Sequence, residues 1–175
     1  HVYHYNYSNA GWDSASFQVR TAAGSQNGWA VAISNDGLVV AFSSPPVTLN
    51  GQVKVLRFKD TTSLTSYTEQ ILDTTQQNEF GHDLQLSADG SRIVIGAPGY
   101  LQNGQAVGAV FVYDYVFSNG TAQYDIYQQI QLPYNDEKFG KSVALSGDGT
   151  RLAIGIPKQT FSGNGGGEGL IHVYL

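Results

Sequence analysis

One phrase is written three times in this chain. Its fullest copy runs Phe139-Gly140-Lys141-Ser142-Val143-Ala144-Leu145-Ser146-Gly147-Asp148-Gly149-Thr150-Arg151-Leu152-Ala153-Ile154-Gly155-Ile156-Pro157. A second opens at Phe80-Gly81 and continues through Leu84, Leu86, Ser87, Asp89-Gly90, Ile93, Ile95 and Gly96-Ala97-Pro98. A third opens at Gly28 and continues through Val31, Ile33, Ser34, Asp36-Gly37, Val40, Phe42, Ser43 and Ser44-Pro45. In every copy the opening Gly and the turn Gly are nine positions apart, and the turn Gly and the Pro eight. Alternating Val143 and Leu145, then the apolar run Leu152 to Ile154, read as two strands. Asp148-Gly149 between them reads as their turn, because Gly takes positive φ without strain and Asp bonds its own backbone. Gap-free repetition of this kind makes each copy one structural unit.

Two more strands complete each unit. Val53-Lys54-Val55-Leu56, Val110-Phe111-Val112-Tyr113 and Ile171-His172-Val173-Tyr174 form a third strand, preceded by Gly51, Gly108 and Gly169. His1 to Tyr5 resembles them. Ser16 to Val19, Tyr67 to Leu72 and Tyr124 to Leu132 form a fourth. In the last of these the alternation puts Ile126, Gln128, Ile130 and Leu132 on one face, largely apolar. Gly28 to Gly81 spans 53 positions and Gly81 to Gly140 spans 59. Length variation is confined to fixed loops, as expected of stacked repeats. Four strands in a period of this size predict an all-β chain of β-propeller blades, each a four-stranded antiparallel sheet. The units divide as 1–27, the end of a blade, then 28–80, 81–139 and 140–175. About three and a quarter blades are visible, thirteen strands in all. A propeller closes with about four to eight blades, so a larger ring or neighbouring chains would complete it. The apolar rows Val31/Ile33, Leu84/Leu86 and Val143/Leu145 are expected to pack blade against blade. The chain starts without Met, inside a strand-like segment, and reads as an internal piece of a longer polypeptide.

Composition narrows the partners. Charged residues make up 13% of the chain, about half the usual share. Net charge is −5 with no Lys/Arg cluster, which excludes a basic surface for nucleic acid or anionic membrane. No apolar run reaches the roughly 18 residues of a membrane span. The chain has no Cys, so no disulfide supports the fold.

These residues resemble the FG-GAP repeat, the unit of the integrin α-chain propeller. Phe80-Gly81 and Phe139-Gly140 match the first half of that motif, and Gly96-Ala97-Pro98 matches the second. Gly155-Ile156-Pro157 matches it nearly, and Ser43-Ser44-Pro45 only at the Pro. The resemblance covers nearly the whole chain. It implies a propeller of about seven blades, an extracellular or cell-surface recognition or structural role, and no enzymatic activity. Integrin-type blades often carry a D-x-D-x-D-G calcium loop. Here that place holds Ser34-Asn35-Asp36-Gly37, Ser87-Ala88-Asp89-Gly90 and Ser146-Gly147-Asp148-Gly149, with one carboxylate each. Calcium takes six to eight oxygens, so no metal or other cofactor is assigned.

The remaining candidates are few. Asp36-Gly37, Asp89-Gly90 and Asp148-Gly149 are structural turns. His1, His4, His82 and His172 have no metal-site spacing, and no Ser/His/Asp constellation stands out. Asn135-Asp136-Glu137 and the loop Ser162 to Glu168 are polar and could supply oxygens to Ca²⁺, with solvated loops as the competing reading. Asn6-Tyr7-Ser8 and Asn119-Gly120-Thr121 are glycosylation sequons, with ordinary turn chemistry as the competing reading. Trp12, Trp29 and the tyrosines either stack on carbohydrate or fill space between blades. The expected function is a non-enzymatic extracellular module that recognises protein or glycan in adhesion. The alternative is a structural subunit of a filament or surface appendage, built on neighbouring copies. A propeller hydrolase or lyase would need acids in the central channel, and the inner strands offer only Asp83.

Overall fold

The computed structural model describes residues 5–6, 8, 10–12, 28–44, 51–61, 63–73, 79–132, 138–159 and 168–175. These contain strands, turns and no helix. A short ribbon pairs β1 (Tyr5–Asn6) with β2 (Gly11–Trp12). The first full sheet runs in chain order through β3 (Val31–Ile33), β4 (Val39–Ser44), β5 (Gln52–Phe58) and β6 (Tyr67–Asp73). The second begins with β7 (Asp83–Leu86) and β8 (Arg92–Ala97). A hairpin of β9 (Leu101–Gln102) and β10 (Gln105–Ala106) follows, and then β11 (Ala109–Ser118) and β12 (Thr121–Ile130) complete that sheet. The third contains β13 (Ser142–Leu145), β14 (Leu152–Gln159) and β15 (Glu168–Tyr174). Every pairing is antiparallel between chain neighbours in the sheet. The predicted Ser16–Val19 strand lies outside the described residues.

Sheets stack through two apolar layers. Between the first and second sheets, Val53 and Val55 meet Leu84, Leu86, Ile93 and Ile95, all buried. Between the second and third, Val94, Val110 and Val112 meet Val143, Leu152 and Ile154. Phe80 and Phe139, which open two of the repeats, are wholly buried in these layers. Phe80 meets Phe111 edge-on at 5.3 Å and Tyr113 at 6.4 Å. Burying one such ring contributes roughly 1.5–3 kcal/mol. The first strands β3, β7 and β13 lie against one another in that order. Successive up-and-down sheets stacked face to face, first strands side by side, are β-propeller blades.

Two expectations need correction. Leu84, Leu86 and Val143 pack against the preceding blade, but Val31 is 66% and Ile33 59% exposed. The alternate residues Ala30 and Ala32 pack on the second blade instead. The face that Val31 and Ile33 share with Val40 and Phe42 buries a cluster of Val40, Phe42, Leu56 and Phe58 with Leu64 and Tyr67, and that cluster stops short of Val31 and Ile33. The regular alternation read into the last strand also fails. A bulge between Val112 and Tyr113 shifts the register, with Tyr113 opposite Ile126 but Val112 opposite Gln128. The extra residue inverts the phase, so Gln128 keeps the face of Ile130 and Leu132, opposite Val112 and Val110, while Ile126 turns to the other face with Tyr113 and Tyr124.

Candidate functional site

The three Ser-x-Asp-Gly turns share one hydrogen-bond plan. Each Ser hydroxyl donates to the Asp two residues on: Ser34 to Asp36 at 2.6 Å, Ser87 to Asp89 at 2.7 Å, Ser146 to Asp148 at 2.5 Å. The same hydroxyl oxygen accepts the backbone N–H five residues on, of Val39, Arg92 and Arg151, at 2.9 Å each. Each Asp Oδ1 also accepts the N–H of Leu38, Ser91 or Thr150. The turn glycines Gly37, Gly90 and Gly149 all have positive φ and donate back to the Ser carbonyl. Hydrogen bonds to the ionised form lower a carboxyl pKa. The Ser91 N–H and the Ser87 and Ser91 hydroxyls hold Asp89 down to about 2. The Ser146 hydroxyl and the Thr150 N–H and hydroxyl hold Asp148 down to about 2. Asp36 is lowered by Ser34 and the Leu38 N–H. The Ser residues are as structural as the Asp residues. Their fixed spacing from each Asp is the sequence signal for that role.

These turns also tie blade to blade. Asn35 N–H donates to the Ala88 carbonyl at 2.8 Å, and Ala88 N–H donates to Gly147 at 2.7 Å. An arginine from the preceding blade grips the next turn. Arg57 Nη2 donates to the Gly90 carbonyl at 2.7 Å, and Arg92 Nη1 to the Gly149 carbonyl at 2.8 Å. The Arg57 guanidinium lies on the Tyr115 ring, 3.9 Å from its centroid. The Tyr124 hydroxyl donates to the same Gly90 carbonyl. Gln70 exchanges two hydrogen bonds with the Tyr124 backbone, acting as one more ladder step between outer strands.

At the opposite end of the first strands, the residues after the opening glycines line up. Trp29 meets His82 edge-on at 5.9 Å, and Lys141 Nζ lies 2.7 Å from His82 Nε2. Burial and then the Lys141 charge push the His82 pKa below its ordinary value, with Glu79 opposing. Asp83 is fully engaged. Its Oδ1 accepts the Leu84 N–H at 2.9 Å, and its Oδ2 the Val143 N–H at 2.8 Å. His172 packs edge-on against Phe139 at 6.1 Å. His1, His4, Asn135-Asp136-Glu137 and Ser162 to Gly167 lie outside the described residues. Among the described residues no three His, Asp or Glu side chains come together.

A cleft of about 390 Å³ opens where the second and third blades meet, lined by Ser91, Arg92, Asp114, Tyr115, Val116, Asp148, Gly149 and Thr150. Arg92 forms a forked pair with Asp114, Nε to Oδ1 at 2.6 Å and Nη2 to Oδ2 at 2.8 Å. Its guanidinium lies 4.9 Å from the Tyr127 ring. Asp114 raises the Arg92 pKa above its ordinary value, so this cation is permanent. Beside the cleft the β11–β12 hairpin continues past its last pairing with β8, Asp114 opposite Arg92. Phe117 near its tip is 79% exposed and Tyr127 64%. Asn119 and Gly120 form that tip, both at positive φ. Asn119 thus serves as a turn residue and is also exposed. The backbone of Asn6 pairs with Gly11. Trp12 and Trp29 are exposed, whereas Tyr113 and Tyr124 fill space between strands. The sequence reading missed this cleft because Arg92 and Asp114 come from different strands.

No protein-family model matches the sequence, and no curated protein matches it. Among solved structures, the chain is similar to one described as "Structure of Dos1 propeller", with 12% identity and a TM-score of 0.36. That likeness covers 86% of this chain and 43% of the other, so this chain spans less than half of that chain's length.

Proposed function

We propose that the chain is a non-enzymatic recognition module of the FG-GAP type that binds a protein or glycan ligand outside the cell or at its surface. The observation that carries this reading is the projecting β11–β12 hairpin beside the Arg92–Asp114 cleft. Its exposed Phe117, Val116 and Tyr127 present apolar and aromatic area on a rigid support. Such side chains anchor protein contacts and stack on sugar rings. Asp83 and the turn Asp residues are occupied by backbone N–H groups, which favours a scaffold role for them over proton transfer. The test is binding to a glycan array and a panel of cell-surface ectodomains, repeated with Phe117→Ala and Tyr127→Ala. Loss of binding at unchanged melting temperature supports the reading. Binding that ignores both substitutions overturns the assignment of this surface.

A second reading, a structural subunit that contacts neighbouring copies, is favoured by a different observation. Ile171 is 75% and Val173 65% exposed on the last blade, as Val31 and Ile33 are on the first.

A further inference from the structure

We propose that Asn119 carries an N-linked glycan whose first sugar ring lies on Phe117. The proposal rests on the reading of the chain as an extracellular module, because an Asn-x-Thr acceptor is used in exported chains.

The β11–β12 hairpin turns in two residues. Ser118 pairs with Thr121, which leaves Asn119 and Gly120 alone in the turn, at φ of 52° and 80°. An Asn-Gly pair makes such a turn by itself. The β9–β10 hairpin does so, with Gln102 paired to Gln105 around Asn103 and Gly104, at φ of 52° and 81°. Turn chemistry thus accounts for Asn119-Gly120 and for nothing on either side of it. The β11–β12 hairpin adds a Thr directly after the pair and an aromatic ring two residues before it. The β9–β10 hairpin has Gln105 and Leu101 in those places. Asn119, Gly120 and Thr121 are all exposed. Neither the Asn119 amide nor the Thr121 hydroxyl is engaged by another described residue. Asn6-Tyr7-Ser8 is placed differently, since Asn6 lies within a strand and is paired with Gly11.

Phe117 supplies an independent observation. Tyr113, Tyr115 and Phe117 share one face of β11, and their exposure rises outward. Tyr113 is buried, Tyr115 is half-buried against the Arg57 guanidinium, and Phe117 is 79% exposed. Opposite Phe117 stands Ala122, too small to cover the ring. Two residues of strand, about 7 Å, separate this bare ring from the acceptor. The first sugar on Asn119 is then placed to lay its apolar face on the ring. Asp114 and Val116 occupy the other face of β11 and line the cleft. A glycan on the Phe117 side leaves that face to a ligand.

The step is a glycosyl transfer from a polyprenyl pyrophosphate-linked oligosaccharide. The Asn119 Nδ2 forms a bond to the anomeric carbon of the donor. The bond from that carbon to the pyrophosphate oxygen breaks, and the oxygen leaves with the electron pair. Nδ2 gives up one of its two protons, and no oxidant or reductant is consumed.

The test is secretion of the full chain, behind a removable leader, from a eukaryotic host, read by intact mass and glycopeptide mapping. The expected result is a glycan on Asn119 in most molecules and several-fold lower occupancy of Asn6. Thr121→Val keeps the turn Asn and removes the acceptor, so it should abolish the glycan at Asn119 with an unchanged circular dichroism spectrum. Asn119→Gln should do the same, and Thr121→Val decides the matter if that variant fails to fold at its positive φ. The glycosylated chain is expected to melt above the same chain made in bacteria, and Phe117→Ala to erase the difference. A bare Asn119 in the secreted, folded chain overturns the inference and leaves the ligand reading standing. A melting difference that survives Phe117→Ala overturns the contact between sugar and ring. A glycan on Asn119 in the host, but none in protein from its natural source, overturns the inference and the extracellular reading together.

Discussion

The carbonyl of Phe80 occupies the space that a side chain on Gly51 would need. Phe139 repeats the relationship over Gly108. The Phe that opens one repeat and the Gly that precedes the third strand of the one before are thus two halves of a single junction.

Gly108 combines that close approach with a φ of +66°. Gly108→Ala is expected to destabilise the fold by roughly 1–3 kcal/mol from backbone strain alone, with steric overlap added. Gly169 has no positive φ and only ordinary van der Waals neighbours. Gly169→Ala should stay within about 0.5 kcal/mol of the parent. Urea denaturation of the two variants checks the contrast.

Phe139 fills the layer between the second and third blades, with no solvent exposure. Phe139→Ala should cost about 3–5 kcal/mol, the range for deleting a buried ring. Hydrogen exchange should show the β13–β15 amides losing more protection than those of β3–β6. Equal loss in both sheets would mean that the blades melt as one unit.

Asp89 and Asp148 have folded pKa values near 2 against an ordinary 3.8. Their stabilising effect is therefore complete above about pH 4, and is lost as the pH falls toward 2. Melting temperature should decline through this window. In Asp89→Asn and Asp148→Asn the starting stability should be lower and the acid decline shallower. An identical acid limb in parent and variants would remove these turns as its source.

His82 behaves in the opposite chemical sense, because burial and the Lys141 charge favour its neutral form. Its folded pKa lies below 6.5, so the stability it contributes is full above that value. It is lost as the pH falls from there through the folded pKa. Titration followed by NMR should show His82 protonating at lower pH than an unfolded histidine. Lys141→Met should move it part of the way back, since burial, the larger cause, remains.

Arg92 joins two blades through Asp114 and the Gly149 carbonyl. Arg92→Lys cannot make the forked contact. It is expected to cost about 1.5–3 kcal/mol, the range for hydrogen bonds to charged groups, and salt should narrow the difference. Thermal melts at low and high ionic strength measure it.

Much of the architecture was readable because it is periodic. Ser34, Ser87 and Ser146 stand at one offset from their Asp-Gly turns, and the strands follow in one order. The unread parts depend on neighbours rather than on local pattern. Val31 is as apolar as Leu84 and is exposed only because no described residue covers it. The bulge at Tyr127 arises from pairing with Val112 and Tyr113, which an alternating strand does not announce. The arginine grips are hidden from repeat comparison, since Arg57 lies on a third strand and Arg92 on a second. Asn103-Gly104 and Asn119-Gly120 both form tight turns at positive φ.

Gln70 extends the mechanical coupling between blades outward from the turns. By holding both the N–H and the carbonyl of Tyr124, it locks the outer strands as the Asn35–Ala88 bond locks the turns. A pull applied at Phe117 must then load two sheets together, in shear rather than by peeling one strand at a time.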